Sequence, residues 1–505
     1  MFTIRIRIKT SPVDDRFLSK CFFFGCDAKN KMVSHAVKRL KALNCDVEYR
    51  KARQEYGRKY TGKDPETLGK TDRKRRAVLV SVMRQKMIEY GISKNAFEKY
   101  LAVQQRKHKH YLSSHQVQSI ADNTMKAVES VVYSKGSRLH YRRYAEFDNI
   151  PQKDLNGARL KDWDHIVFMK KTFLLKTPQT EYMKAVIEQD PRVIYCTLKR
   201  IEFNSGYKYY VIVTLDGTPP VLRQKAEITS RIGIDLGTST IAAESDHFVM
   251  LENLAPNACR YEKKIRHLQN LLDHKIRMAN PDNYDNEGKV KRGRHKWVIS
   301  KQAKRLKRTI RVLYRKETGY VKTSHGEQIN RILANASEIV EEPMNFRPLQ
   351  KRSSGKAERS DKISVIRKKD STEQKVRKFK RKKRYGHSLK NHSPGRFQSE
   401  LRRKAEVLDI PYYEIDIKKY RASQYHHDTG EYISSGISER YKEIEGITVQ
   451  RDLYSAFLIR HTDETLCQPD TEACIRDYSQ FVTLHDALLS EMKAAGRTNI
   501  SCWGF

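Results

Sequence analysis

Nowhere in the 505 residues does an apolar stretch approach the roughly 20 residues that cross a bilayer. The N-terminal MFTIRIRIKT lacks the apolar core of a signal peptide. Cysteine is sparse: eight thiols (Cys21, Cys26, Cys45, Cys196, Cys259, Cys467, Cys474 and Cys502) are spread too thinly for a disulfide scaffold and suit a reducing compartment. Acid is in deficit as well. Sixty Asp and Glu against 100 Lys and Arg leave a formal charge of +40 at pH 7, an excess that calls for a polyanionic partner, nucleic acid foremost. With 38% hydrophobic and 32% charged residues the chain has material for cores, and its length suggests about two to four domains. A soluble, cytoplasmic protein with no membrane partner is expected.

The first ten residues alternate, Phe2, Ile4, Ile6 and Ile8 on one side and Thr3, Arg5, Arg7 and Lys9 on the other, which predicts a half-buried strand. Helical spacing then runs from about 27 to 135, as in 73–91 and 93–105, where Ser93 is placed to cap. Strands return between 136 and 228: RVIYCTLKRIEF and YKYYVIVTL, joined through Asn204, Ser205 and Gly206, read as a hairpin. A β module is thus split by helices. From 231 the pattern becomes mixed α/β: the strand RIGIDLG, a short hairpin, basic helical stretches at 261–277 and 297–316, and a strand near 336–342. Ile265, Leu268 and Leu272 form the packing stripe of the first basic stretch. Residues 350–396 read as a solvated loop that meets phosphates loosely, densest in charge at Arg377, Lys378, Lys380, Arg381, Lys382, Lys383 and Arg384. His387 and His392 fall in that loop without a role.

The sharpest chemical signal is GIDLGTST at 233–240, where an apolar strand carries Asp235 and Gly237 allows a turn or a close backbone approach. A carboxylate on a central strand is costly unless it is paired, hydrogen-bonded or bound to a cation, so Asp235 is a candidate metal ligand. The same letters open the ATPase domains of actin-like, sugar-kinase and chaperone proteins, but no second Gly-rich phosphate turn follows residue 240. Two further acids stand out. In SEIVEEPMNFRPLQKR (337–352) a strand ends at Glu341 and Glu342 before Pro343, and in VQRDLYSAFLIRH (449–461) Asp452 stands where it would cap what reads as the last helix. Glu341 is read as the exposed neighbour of Glu342. Separations of 107 and 110 residues are no obstacle, because a two-metal Mg²⁺ site draws carboxylates from separate elements.

The series GIDLGTST, EEPMNFRPLQKR, GRFQSELRRKA (395–405) and VQRDLYSAFLI resembles the three RuvC motifs and intervening helix of the TnpB transposon-encoded nucleases and the type V CRISPR effectors. The order of features before 231 fits the same family. The resemblance implies a bilobed, multidomain α/β plus α+β fold. A wedge-like β-barrel domain (1–26 and 136–228) is split by a helical recognition domain (27–135). A RuvC nuclease with an RNase H-like fold follows (229–420 and 449–505), interrupted by a target-nucleic-acid-binding insertion at 421–448. It further implies Asp235, Glu342 and Asp452 as catalytic Mg²⁺ ligands, the family's Glu-x-Leu/Met-Asn pattern favouring Glu342 through Met344 and Asn345. Two ions are implied, with Mn²⁺ able to substitute. The implied activity is RNA-guided cutting of double-stranded DNA beside a short flanking motif, with a guide RNA of transposon or CRISPR origin, in a bacterial or archaeal cell and near its nucleoid. An RNA-guided DNA binder without cleavage is the alternative, and the motifs do not say whether one protomer or two bind each RNA. One departure is plain: 421–446 has no cysteine where most relatives carry a zinc ribbon, so a structural zinc ion is not expected there. Adjacent His426, His427 and Asp428 do not supply spaced tetrahedral ligands, and Cys467 and Cys474 are read as buried thiols rather than a zinc half-site.

Overall fold

The structure is a computed structural model. It describes every residue except 135, 221–229, 287, 351–358, 368–372, 380–384, 435, 437–438, 498–499, 501–502 and 504–505. The chain divides into two compact units, Met1–Leu222 and Arg223–Phe505. No described helix is long and apolar enough to cross a membrane.

The first unit starts with β1 (Phe2–Ile8), whose alternation is real: Ile4, Ile6 and Ile8 are buried and the intervening basic residues exposed. Helices α1 (Pro12–Leu43), α2 (Val47–Lys59), α3 (Lys70–Glu89), α4 (Lys94–Arg106) and α5 (Ser114–Tyr133) follow, and Ser93 caps α4 by accepting from the Ala96 N–H. The remaining elements are β2 (Asn149–Ile150), β3 (Ala158–Asp162), β4 (His165–Phe168), β5 (Lys171–Lys176), α6 (Glu181–Glu188), β6 (Val193–Phe203) and β7 (Gly206–Leu215). The β6–β7 turn closes with Phe203 opposite Gly206, whose φ of 130° is open to glycine.

Seven strands form one sheet in the order β2-β6-β7-β1-β5-β4-β3. It curls until β3 lies against β6, but no ladder joins them, so the described sheet is open where a closed barrel is expected. Helical structure begins at Pro12, well before residue 27. Helix α1 serves two cores: Leu18, Cys21, Phe22 and Cys26 pack on the sheet, while Ala28, Met32, Ala36 and Leu43 pack among α2 to α5.

The second unit contains β8 (Arg231–Leu236), β9 (Thr240–Glu244), β10 (Val249–Asn253), α7 (Glu262–Ala279), α8 (Lys301–Leu333), β11 (Glu338–Glu341), α9 (Phe346–Leu349), β12 (Arg359–Arg367), β13 (Glu373–Phe379), α10 (Gly386–His392), α11 (Pro394–Val407), β14 (Tyr412–Glu414), β15 (Tyr441–Ile444), β16 (Ile447–Gln450), α12 (Arg451–Arg460) and α13 (Thr471–Ala494). Its main sheet runs β10-β9-β8-β11-β14, antiparallel from β10 to β8 and parallel from β8 to β14. Ile232, Ile234 and Leu236 of β8 face a core with α8 and α11, where Ile329, Ile332, Phe397 and Leu401 are buried. Val340 of β11 faces the opposite core, built on α12 and α13. Helix α12 is buried on nearly every side, which suits its run Leu453, Tyr454, Ala456, Phe457, Leu458 and Ile459.

Three further expectations change here. Part of the stretch read as a solvated loop pairs as the antiparallel strands β12 and β13, and Arg377 and Lys378 lie in β13; Lys380, Arg381, Lys382, Lys383 and Arg384 lie outside the described residues. His387 and His392 belong to α10 rather than a loop. Helix α12 is not the last, because Asp470 caps the 24-residue α13. The stripe Ile265, Leu268 and Leu272 packs with Ile310 and Leu313 of α8 as its spacing predicts.

Candidate functional site

Strand parity decides which acids share a face. Parallel pairing sets Val340 beside Gly233 and Glu341 beside Ile234, and the Glu342 N–H extends the ladder by donating to the Ile234 carbonyl at 3.3 Å. Glu342 therefore emerges next to Asp235, on the face that Val340 shares. Glu341 points the other way, where it is fully buried rather than exposed. Its Oε2 accepts from the Tyr412 hydroxyl and from Gln398 Nε2 (3.2 Å), and its Oε1 has no partner. Burial pushes this carboxyl up from an ordinary 4.5 to about 7.

The third acid arrives on α12. Asp452 lies one helical turn before Ala456 and two before Arg460, and that edge of the helix lies on β8 at Gly233. A Cβ at Gly233 would lie far inside van der Waals contact with the Ala456 carbonyl oxygen and 2.9 Å from the Arg460 Cβ. Gly233 is thus the position where helix and strand touch backbone to backbone. The role assigned from sequence to Gly237 is more modest: its N–H donates to the Thr240 carbonyl at 3.0 Å and forms the β8–β9 turn. The cap of α12 is Gln450, whose side chain accepts from the Leu453 N–H at 2.8 Å, which leaves the Asp452 carboxylate free of that duty.

Asp235, Glu342 and Asp452 are all half-buried. Burial raises the Asp235 carboxyl well above the usual range, and the neighbouring charges of Asp452 and Glu342 raise it further. Burial likewise raises Glu342. The cation that opposes them is Arg451, a residue the sequence reading passed over although it directly precedes Asp452. Its Nε and Nη2 each donate to Asp452 Oδ1 at 3.2 Å, and its Nη1 donates to the carbonyls of Glu439 (3.0 Å) and Gly436 (3.3 Å). Three carboxylates with one guanidinium between them leave negative charge uncompensated, a donor set that fits hard divalent cations. The three do not form a tight cage: among the described residues they are not a group whose oxygens all lie within 4.8 Å of one another.

The segment that lacks zinc-ribbon cysteines folds through a bridge between Tyr425 and Tyr432 and the β15–β16 hairpin. His427 is its anchor. The Tyr454 hydroxyl accepts from the His427 N–H at 3.1 Å and sits 2.8 Å from Nδ1, while the ring packs against Tyr478 and Phe457. His426 and His427 are buried on this aromatic floor, and Asp428 turns away to accept from the Thr429 and Glu445 N–H groups. Of the two later thiols, Cys474 is buried and Cys467 half-buried.

No family model and no curated protein matches the chain. Among solved structures it is similar to a Cas12f1–sgRNA–target DNA complex, with 12% identity and a TM-score of 0.42, over 91% of this chain and 98% of that one. A CRISPR-Cas12f ternary complex is similar at 11% identity and a TM-score of 0.25, over 93% of this chain and 99% of that one.

Proposed function

We propose that the protein is a Mg²⁺-dependent, RNA-guided DNA endonuclease with one RuvC site. The observation that carries the reading is the convergence of Asp235, Glu342 and Asp452, from β8, the end of β11 and α12, on one face of a mixed sheet covered by helices on both sides. The RuvC-like order of the motifs that hold these acids supports the choice of nuclease, and the charge of +40 supports nucleic acid as substrate and partner.

In this reading the three carboxylates hold the ions, and Arg451 fixes the Asp452 rotamer while tying the Gly436 and Glu439 carbonyls to the site. Bound Mg²⁺ supplies an activated water and neutralises the leaving oxygen of a phosphodiester displaced in line. The buried sheet below the acids limits their motion, so the ligands are held before substrate arrives. Guide–target base pairing supplies sequence specificity, and the protein reads duplex shape and a flanking motif.

The test is to purify the protein with its RNA and incubate it with matched DNA with and without Mg²⁺. A discrete RNA, cutting that needs Mg²⁺, and loss of cutting with retained DNA binding in Asp235→Ala are expected. Normal cutting by Asp235→Ala would overturn the site, and tight RNA-guided binding without any cutting would replace a nuclease by a targeting factor.

A further inference from the structure

Away from the carboxylate face, α7 and α10 bring together a second set of donors. A turn in which the Glu262 N–H donates to the Cys259 carbonyl at 3.0 Å puts Cys259 and Glu262 on one side of the start of α7. On α10, His387 and Asn391 share a face at the i,i+4 spacing. The ligand atoms of Cys259, Glu262 and His387 all lie within 4.8 Å of one another.

That bound is compatible with a coordination shell. Tetrahedral zinc with bonds of about 2.0–2.3 Å requires ligand atoms about 3.3–3.7 Å apart. His387 Nε2 stands 3.2 Å from Glu262 Oε2, and the terminal amide atom of Asn391 stands 3.1 Å from both Cys259 Sγ and His387 Nε2. That amide, which also lies 3.4 Å from His387 Nδ1, is the fourth polar group at the cluster. Its two orientations are isosteric: one offers oxygen to a metal, the other donates N–H to the sulfur. Arg266 Nη2 donates to Glu262 Oε1 at 3.1 Å, and both carboxylate oxygens lie against His387 Nε2, Oε1 at 3.3 Å and Oε2 at 3.2 Å.

We propose that Cys259, Glu262 and His387, with Asn391 as fourth ligand or as donor to the thiolate, form a zinc-type metal site distinct from the three carboxylates. Thiolate and imidazole select a softer ion than the all-oxygen face, where Mg²⁺ is favoured. The site has a structural use. Ser388, next to His387, donates to the Thr238 carbonyl at 3.0 Å, in the turn that follows Asp235. A metal there fastens α7 to α10 and fixes α10 against that turn.

Cobalt(II) reads the site without reference to DNA cutting, so a failed nuclease reading and a failed metal site give different results. Titration of the metal-free full-length protein with Co²⁺ in excess Mg²⁺ is expected to bind one equivalent with a near-ultraviolet thiolate-to-cobalt charge-transfer band and visible d–d bands. The band disappears in Cys259→Ser and in His387→Gln, Asn391→Ala weakens binding about tenfold, and Asp235→Asn keeps the full signal. No charge-transfer band in the wild-type protein, or an undiminished band in Cys259→Ser, overturns the proposal.

Discussion

A carboxylate that shares a face with two others is unstable by itself, and Asp235 is the residue where this is strongest. Its burial and the charges of Asp452 and Glu342 all favour the neutral acid. Because its folded-state pKa is raised, the stability this group contributes is present in acid and is lost as pH rises through that pKa. Without divalent ions at neutral pH or above, Asp235→Asn is therefore expected to raise the melting temperature while it removes Mg²⁺-dependent cutting. A differential scan in chelator decides this, and a lower melting temperature in the variant would count against convergence of the acids. Gly233 gives the opposite case. Gly233→Ala drives a Cβ into the α12 backbone, which has no side-chain freedom with which to yield, and costs about 3 kcal/mol, the upper range for overpacking. Urea unfolding measures the loss, and a change under about 0.5 kcal/mol would mean that helix and strand are farther apart. Neither role is visible in the residue letter. Asp235 is legible because a charged residue interrupts an apolar strand, whereas the crossing at Gly233 depends on α12, more than 200 residues later. The burial of Glu341 follows from the period of two once the strand is known to have helices on both faces, a fact that a pair of adjacent acids does not announce.

At the scale of elements, the legible pieces are those whose signal is local. The alternation of β1, the Ser93 cap and the Asn204–Ser205 turn each need only a few neighbours. Helix α1 had a local signal as well: Ser11, Pro12 and Asp14 form a capping box, with the Asp14 N–H donating to Ser11 Oγ at 3.2 Å and Ser11 N–H to Asp14 Oδ2 at 3.0 Å. It was obscured because the helix changes cores between Cys26 and Ala28, so its apolar positions do not form one stripe. The cysteine-free insertion shows the converse, a segment anchored on residues outside it as well as by its own bridge and hairpin. Tyr454→Phe leaves the buried His427 N–H without an acceptor and is expected to cost about 1–3 kcal/mol. Amide exchange should quicken across 425–432 more than across β8, and equal effects on both would show that Tyr454 supports the core rather than the insertion. Strand β11 carries a pH signature of its own. Glu341, raised to about 7 from 4.5, stabilises the fold as a neutral acid; that contribution is present below pH 4.5 and lost as pH rises through 7. Glu341→Gln keeps an acceptor for Tyr412 and Gln398, so it should match wild-type stability near pH 4.5 and exceed it by up to about 3 kcal/mol above pH 7. A constant difference across that range would exclude titration as its cause.

For the molecule as a whole, the dominant quantity is charge. Each unit has cores of its own, Ile6, Phe22 and Val211 among the residues of one and Ile234, Phe457 and Phe481 among those of the other, so folding does not explain a surplus of 40 positive charges. Internal ion pairs do not absorb it either, since every acid paired with a base removes both from the balance. Like charges at this density repel, and the repulsion is relieved when phosphates replace condensed counterions around a nucleic acid. The legible and illegible parts of the function separate on this point: composition demands a polyanion, while the choice of RNA guide over DNA alone rests on motif order. The physical consequence is independent of that choice. If six to ten phosphates are neutralised, affinity for the guide RNA should fall by about 10³–10⁵ between 50 and 200 mM salt, linearly in a plot of log affinity against log salt. Filter binding across that series measures the slope. A flat line would mean that shape and base stacking, rather than the basic surface, hold the RNA, and that the surplus charge serves another anion.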